Sequence, residues 1–65
     1  MSLIKRSFTL DGHQTSIALE PEFWEALEKI AQAHALSLSR LITEIDELRG
    51  DRPLASSLRV FCLGK

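Results

Sequence analysis

Apolar and polar side chains alternate between Ser7 and Leu19, with Phe8 and Leu10 and then Thr15, Ile17 and Leu19 on alternate positions. Alternation of β-branched and aromatic residues predicts strand, most securely over 13–19. Asp11-Gly12 interrupts it, and that dipeptide between alternating segments is a strong signal for a two-residue hairpin. Residues 5–10 are then either the first strand of a hairpin or an extended arm. At Pro21 the period changes to helical. Phe23, Leu27, Ile30, Ala31 and His34 share one face, widened by Trp24 and Ala26. Proline suits a first helical turn, so this helix runs from Pro21 to Ala33 or His34. Ala35-Leu36 reads as a short connection and Ser37 as the N-cap of the next helix. There Leu38, Leu41, Ile42, Ile45 and Leu48 form the cleanest stripe in the chain, ended by Gly50. A short third helix is expected from Leu54 to Cys62, with Leu54, Ala55, Leu58, Phe61 and Cys62 apolar. The fold class is mostly α with an N-terminal β-ribbon.

Size changes the picture. With 65 residues the chain supports one domain, 1–65, and a domain this small buries little surface. Disulfides, a metal or oligomerisation usually make up the difference. Cys62 is the sole cysteine, so no intrachain disulfide forms. His13, His34 and Cys62 lack the short spacing of a metal site, and no cofactor is implied. Oligomerisation remains, and an apolar content of 45% gives it material. A lone strand also needs an antiparallel partner, which a second copy supplies across a twofold axis. No apolar run approaches the roughly 18 residues of a membrane span, and the start lacks a signal peptide's pattern. The expectation is a soluble, cytoplasmic homodimer.

Charge adds a qualification. Eight basic and nine acidic side chains give a net charge of −1, which excludes binding to nucleic acid by bulk charge. Glu20, Glu22, Glu25 and Glu28 concentrate the acidity on the first helix, whereas Lys5, Arg6 and His13 sit near the ribbon with only Asp11 against them. No serine or cysteine has an evident base partner, so no catalysis is expected.

The ordered set Thr15-Ser16-Ile17-Ala18-Leu19, Pro21-Glu22-Phe23-Trp24-Glu25-Ala26-Leu27, Ile30-Ala31 and Ala35-Leu36-Ser37-Leu38-Ser39-Arg40-Leu41-Ile42 resembles the ribbon-helix-helix superfamily of Arc- and MetJ-like repressors. Gly12-His13, Phe23-Trp24, Ile45-Asp46 and Ser56-Ser57-Leu58-Arg59-Val60-Phe61 are similar to a small bacterial subgroup assigned to DNA binding by description alone. The resemblance implies an intertwined homodimer whose antiparallel ribbon enters the major groove of double-stranded DNA, as a transcriptional regulator does. It places Ile17 and Leu19 toward the core and Gln14, Ser16 and Ala18 outward to base edges. It also places Ser37, Leu38 and Ser39 at a helix start that meets a phosphate. Lys5, Arg6 and Arg40 would assist on the backbone.

Each of these residues also has a plainer role. Gln14 and Ser16 read equally as solvated polar groups, Ser37 as an ordinary cap, His34 as a structural histidine, and Phe23 and Trp24 as core. The outward triad carries no charge. If the hairpin forms, a dimer presents four strands, about 14 Å across at ~4.8 Å spacing, against a groove about 12 Å wide. A dimeric protein-interaction module of the same fold, without DNA binding, is therefore the alternative. An antitoxin ranks lower, because such antitoxins generally carry a further C-terminal segment.

Overall fold

The computed structural model describes residues 2–64; Met1 and Lys65, the ends of the domain expected from the sequence, lie outside them. Two strands lead, β1 (Ile4–Leu10) and β2 (His13–Leu19), followed by helices α1 (Pro21–Ala33), α2 (Leu38–Leu48) and α3 (Leu54–Leu63). Residues 5–10 are thus a hairpin strand and not a free arm. Asp11 and Gly12 both take positive φ, 50° and 80°, which is the backbone of a type I′ turn whose twist matches its flanking strands. The turn sets an antiparallel register that pairs Leu10 with His13 and runs to Ile4 with Leu19.

One face of the hairpin lies on the helices. Leu10, Ile17 and Leu19 are buried there with Trp24, Leu27 and Ala31 of α1, Leu41, Ile42 and Ile45 of α2 and Leu58 of α3. Leu19, Leu27, Ile42 and Leu58 are fully enclosed, and each such side chain contributes about 1.5–3 kcal/mol by leaving water. On α1 the buried stripe runs through Trp24, Leu27 and Ala31, with Phe23 and Ile30 at its edges and His34 exposed. Trp24 fastens β1 to α1, since its indole N–H donates to the Ile4 carbonyl at 2.8 Å. At the other end of the sheet's chain path, Arg59 Nε donates to the Glu20 carboxylate at 2.9 Å, joining α3 to the residue after β2. That hydrogen bond, with a smaller contribution from Glu20's own backbone, holds the Glu20 carboxyl below the usual carboxylate range.

The link between α1 and α2 closes on itself. Leu36 N–H reaches the Ala31 carbonyl at 2.8 Å and Ala35 N–H the Gln32 carbonyl at 3.1 Å, which satisfies carbonyls the helix end leaves open. Ala35 must adopt φ 56° to do this. A Cβ in the left-handed region costs roughly 1–2 kcal/mol. Ala35→Gly should therefore raise the stability of the domain by up to about 1 kcal/mol, after the extra entropy of the unfolded glycine. A higher urea midpoint with an unchanged m-value checks this; an unchanged or lower midpoint contradicts it.

Candidate nucleic-acid interface

The register sorts the hairpin side chains into two faces. Ile17 and Leu19 lie on the helix side, with Ile4, Arg6, Phe8 and Leu10 opposite on β1. The outer face holds Gln14, Ser16 and Ala18 of β2, paired across the ladder with Thr9, Ser7 and Lys5. All but Ala18, which is half-buried, are exposed. The Ser7 and Ser16 hydroxyls stand 3.2 Å apart. Lys5 is the only ionisable side chain on this face, so its character is hydroxyl and amide with one positive charge per chain.

Ser7 and Thr9 were not among the residues singled out from the sequence. Their signal was present all the same, because a two-residue loop at Asp11-Gly12 fixes every pair upstream.

The ladder also determines which backbone groups stay free. Leu10 and His13 flank the loop as a hydrogen-bonded pair, and bonded pairs alternate from there. The N–H and C=O groups of Gln14, Ser16 and Ala18 therefore point away from β1, along the outer edge of β2. Those of Lys5, Ser7 and Thr9 point along the outer edge of β1. Among the described residues the sheet has these two strands alone, so both edges are unpaired within the chain.

Arg6 lies elsewhere than on the outer face. Its guanidinium sits 5.1 Å from the Trp24 ring centroid and 5.7 Å from that of Phe8, on the helix side of the sheet. Glu28 is 3.9 Å from it, in a pair that is well exposed and so weak. The stacked position keeps Arg6 away from the Gln14-Ser16-Ala18 row. Ser37 caps α2, its hydroxyl accepting from Arg40 N–H at 3.1 Å. Leu38 and Ser39 form the first turn behind it, and the Ser39 carbonyl accepts from the Thr43 hydroxyl at 2.9 Å. Arg40 Nε donates to Glu44 at 3.1 Å. The helix start leaves the Leu38 and Ser39 amides for a ligand, since that of Arg40 is on Ser37, and its nearest cation is already paired. Among the described residues, no group of three or more His, Cys, Asp or Glu side chains could hold a metal ion. No helix among them is long and apolar enough to cross a membrane.

Comparison with known proteins agrees with this geometry. Residues 3–65 match the family model of the ribbon-helix-helix domain. A solved structure of an uncharacterized protein from Bordetella pertussis Tohama I is similar to the chain, with 42% identity and a TM-score of 0.83. The match covers 95% of this chain and 54% of that one, so the chain spans about half the length of that relative. No curated protein matches the sequence. A hairpin ribbon followed by paired helices and a match over nearly every residue lead to one conclusion: the chain belongs to the ribbon-helix-helix domain family, which generally includes DNA-binding regulators and antitoxins.

Proposed function

We propose that the chain works in the cytoplasm as a homodimeric transcriptional regulator that binds double-stranded DNA through the outer face of its ribbon. The observation that supports this most is the coincidence of the open edge of β2 with the uncovered polar face. Two β2 edges pairing antiparallel about Ser16 would place Gln14, Ser16 and Ala18 of both copies at the centre of a four-stranded sheet. With ~4.8 Å between strands, the two central strands fit a groove about 12 Å wide, whereas the outer pair, about 14 Å apart, does not. The β1 strands then ride over the phosphates. Lys5, Ser7 and Thr9 suit that place, since cations and hydroxyls are the usual phosphate contacts. Gln14 has the two-pronged amide that matches adenine N6 and N7, Ser16 bonds to several bases, and Ala18 offers a methyl contact. Leu38 and Ser39 amides at the α2 start, with Ser37, take a further phosphate. Arg6, held against Trp24, contributes through the fold.

Binding to randomised duplexes at several salt concentrations tests the assignment. Gln14→Ala should cost about 1–3 kcal/mol and relax preference at one base position per half-site. Lys5→Ala should weaken all sequences alike and flatten the salt slope by about 1.8, from two lysines at ~0.9 each. Affinity that ignores salt in the parent protein would exclude phosphate contact. The second reading, a dimeric protein-interaction module, draws on the single cation and the width of the four-stranded sheet. It predicts no salt-dependent duplex binding at all.

A further inference from the structure

We infer that the free edge of β1 is a peptide-binding site that takes an extended segment of another protein as a further antiparallel strand. Its ligand carries an acidic side chain against Lys5 and an apolar one in the hollow beside Ile4. β1 is seven residues long and pairs with β2 in one unbroken register, without proline or bulge. The N–H and C=O groups of Lys5, Ser7 and Thr9 point along its outer edge, unpaired within the chain. A regular edge of this kind is a template for one more strand. In such additions the backbone bonds supply affinity and the alternate side chains supply specificity.

The edge is held ready at its start. The Trp24 indole N–H, donating to the Ile4 carbonyl at 2.8 Å, fixes the first residue of the strand. The Arg6 guanidinium, 5.1 Å from the Trp24 ring centroid, fixes the following helix-side position. A strand so held loses little freedom when a partner adds to it. Between β1 and α1 runs an open groove of about 440 Å³, with Ile4, Arg6, Pro21 and Trp24 in its lining. Ile4 is 45% exposed and Leu3 50%, so apolar surface meets water where the groove and the edge come together.

Register and charge define the occupant. Side chains directly opposed in an antiparallel pair lie on the same face. The incoming residue opposite Ile4 therefore enters the groove, over Ile4 and Pro21. There Arg6 already faces Glu28 at 3.9 Å and Lys29 faces Glu25 at 3.3 Å, so an uncharged apolar residue fits best. The incoming residue opposite Lys5 lies on the outer face. Lys5 has no ion-pair partner among the described residues, and a carboxylate there meets it directly. Along the incoming chain this is an acidic residue followed at once by a large apolar one. A second copy does not supply it. The outward strand positions of this chain are Lys5, Ser7 and Thr9 on one edge and Gln14, Ser16 and Ala18 on the other, with no acid among them.

Fluorescence anisotropy of a dye-labelled peptide, Thr-Val-Thr-Val-Glu-Leu, with the full chain tests this. No DNA is present, so the result stands apart from the ribbon's reading of a duplex. In the register above, the glutamate faces Lys5 and the leucine faces Ile4. The parent should bind this peptide saturably, and the same peptide with lysine for glutamate about tenfold more weakly. Lys5→Glu should reverse that preference. N-methylation of the glutamate and the second threonine removes N–H groups aimed at β1 and should abolish binding. Methylation of the two valines, whose N–H groups point away, should leave it intact. Ser7→Pro takes an outward N–H from the edge, spares the β1–β2 ladder, and should lose the peptide while staying a dimer. No saturation below about 1 mM, equal binding of the two charged peptides, or equal effects of the two methylation patterns would overturn the inference. A monomeric Ser7→Pro would give this edge to a second copy and overturn it likewise.

Discussion

Replacing Ile17 by aspartate should unfold the domain. Ile17 is 4% exposed and lies between the hairpin and the helices, in one continuous core with Leu19, Leu27, Ile42 and Leu58. The substitution removes an aliphatic side chain, worth about 1.5–3 kcal/mol on burial. It adds a carboxylate at a buried position, and its ladder neighbour Arg6 can pair with it only by leaving the Trp24 ring. An uncompensated buried charge costs about 3–5 kcal/mol more. A chain of this length has only about 3–10 kcal/mol of total stability, so a loss of about 4.5–8 kcal/mol takes most or all of it. The expected result is a disordered far-UV circular dichroism spectrum for Ile17→Asp at neutral pH and a cooperative melt for Ile17→Val. A cooperative melt of Ile17→Asp near the parent midpoint would show that β2 does not cover the core as described.

That core was legible in the sequence because its periods are clean. The stripe through Leu41, Ile42 and Ile45 and the alternation at Ile17 and Leu19 gave α2 and β2 their buried faces directly. The start of β1 was ambiguous for a physical reason. Between Lys5 and Ser7 the inward position is Arg6, a residue that no hydrophobic pattern marks as facing helices. It does so because its guanidinium can lie on the Trp24 and Phe8 rings, a cation–π arrangement that depends on tertiary structure. The same fact moved Arg6 from the expected phosphate contacts to the helix side of the sheet. On α1, Phe23 and Trp24 both read as apolar, and only packing distinguishes the buried Trp24 from the half-buried Phe23. The outer face was half visible. Gln14, Ser16 and Ala18 followed from alternation, whereas Ser7 and Thr9 joined them only once the turn at Asp11-Gly12 fixed the register.

Ser16→Pro should leave the hairpin folded and abolish dimerisation through the ribbon. The Ser16 N–H points away from β1, so a pyrrolidine ring there removes no bond of the β1–β2 ladder. Thr15, before it, is already extended, as a residue preceding proline prefers. Within the chain the loss is the exposed hydroxyl contact with Ser7. Between copies the effect is far larger. A twofold axis at Ser16 pairs the residue with itself, so one substitution deletes both central hydrogen bonds and sets two rings against each other. Two bonds at ~0.5–1.5 kcal/mol each, with the steric term, weaken association by at least about 100-fold. DNA affinity should fall with it, since a single copy presents half the contacts. Ser7→Pro is the matching control, because Ser7 lies directly across the ladder and its N–H points out along the other edge. It damages the hairpin as little and should remain dimeric. If Ser7→Pro becomes monomeric and Ser16→Pro does not, the axis runs along β1, and Lys5, Ser7 and Thr9 would occupy the centre of the face in place of Gln14, Ser16 and Ala18.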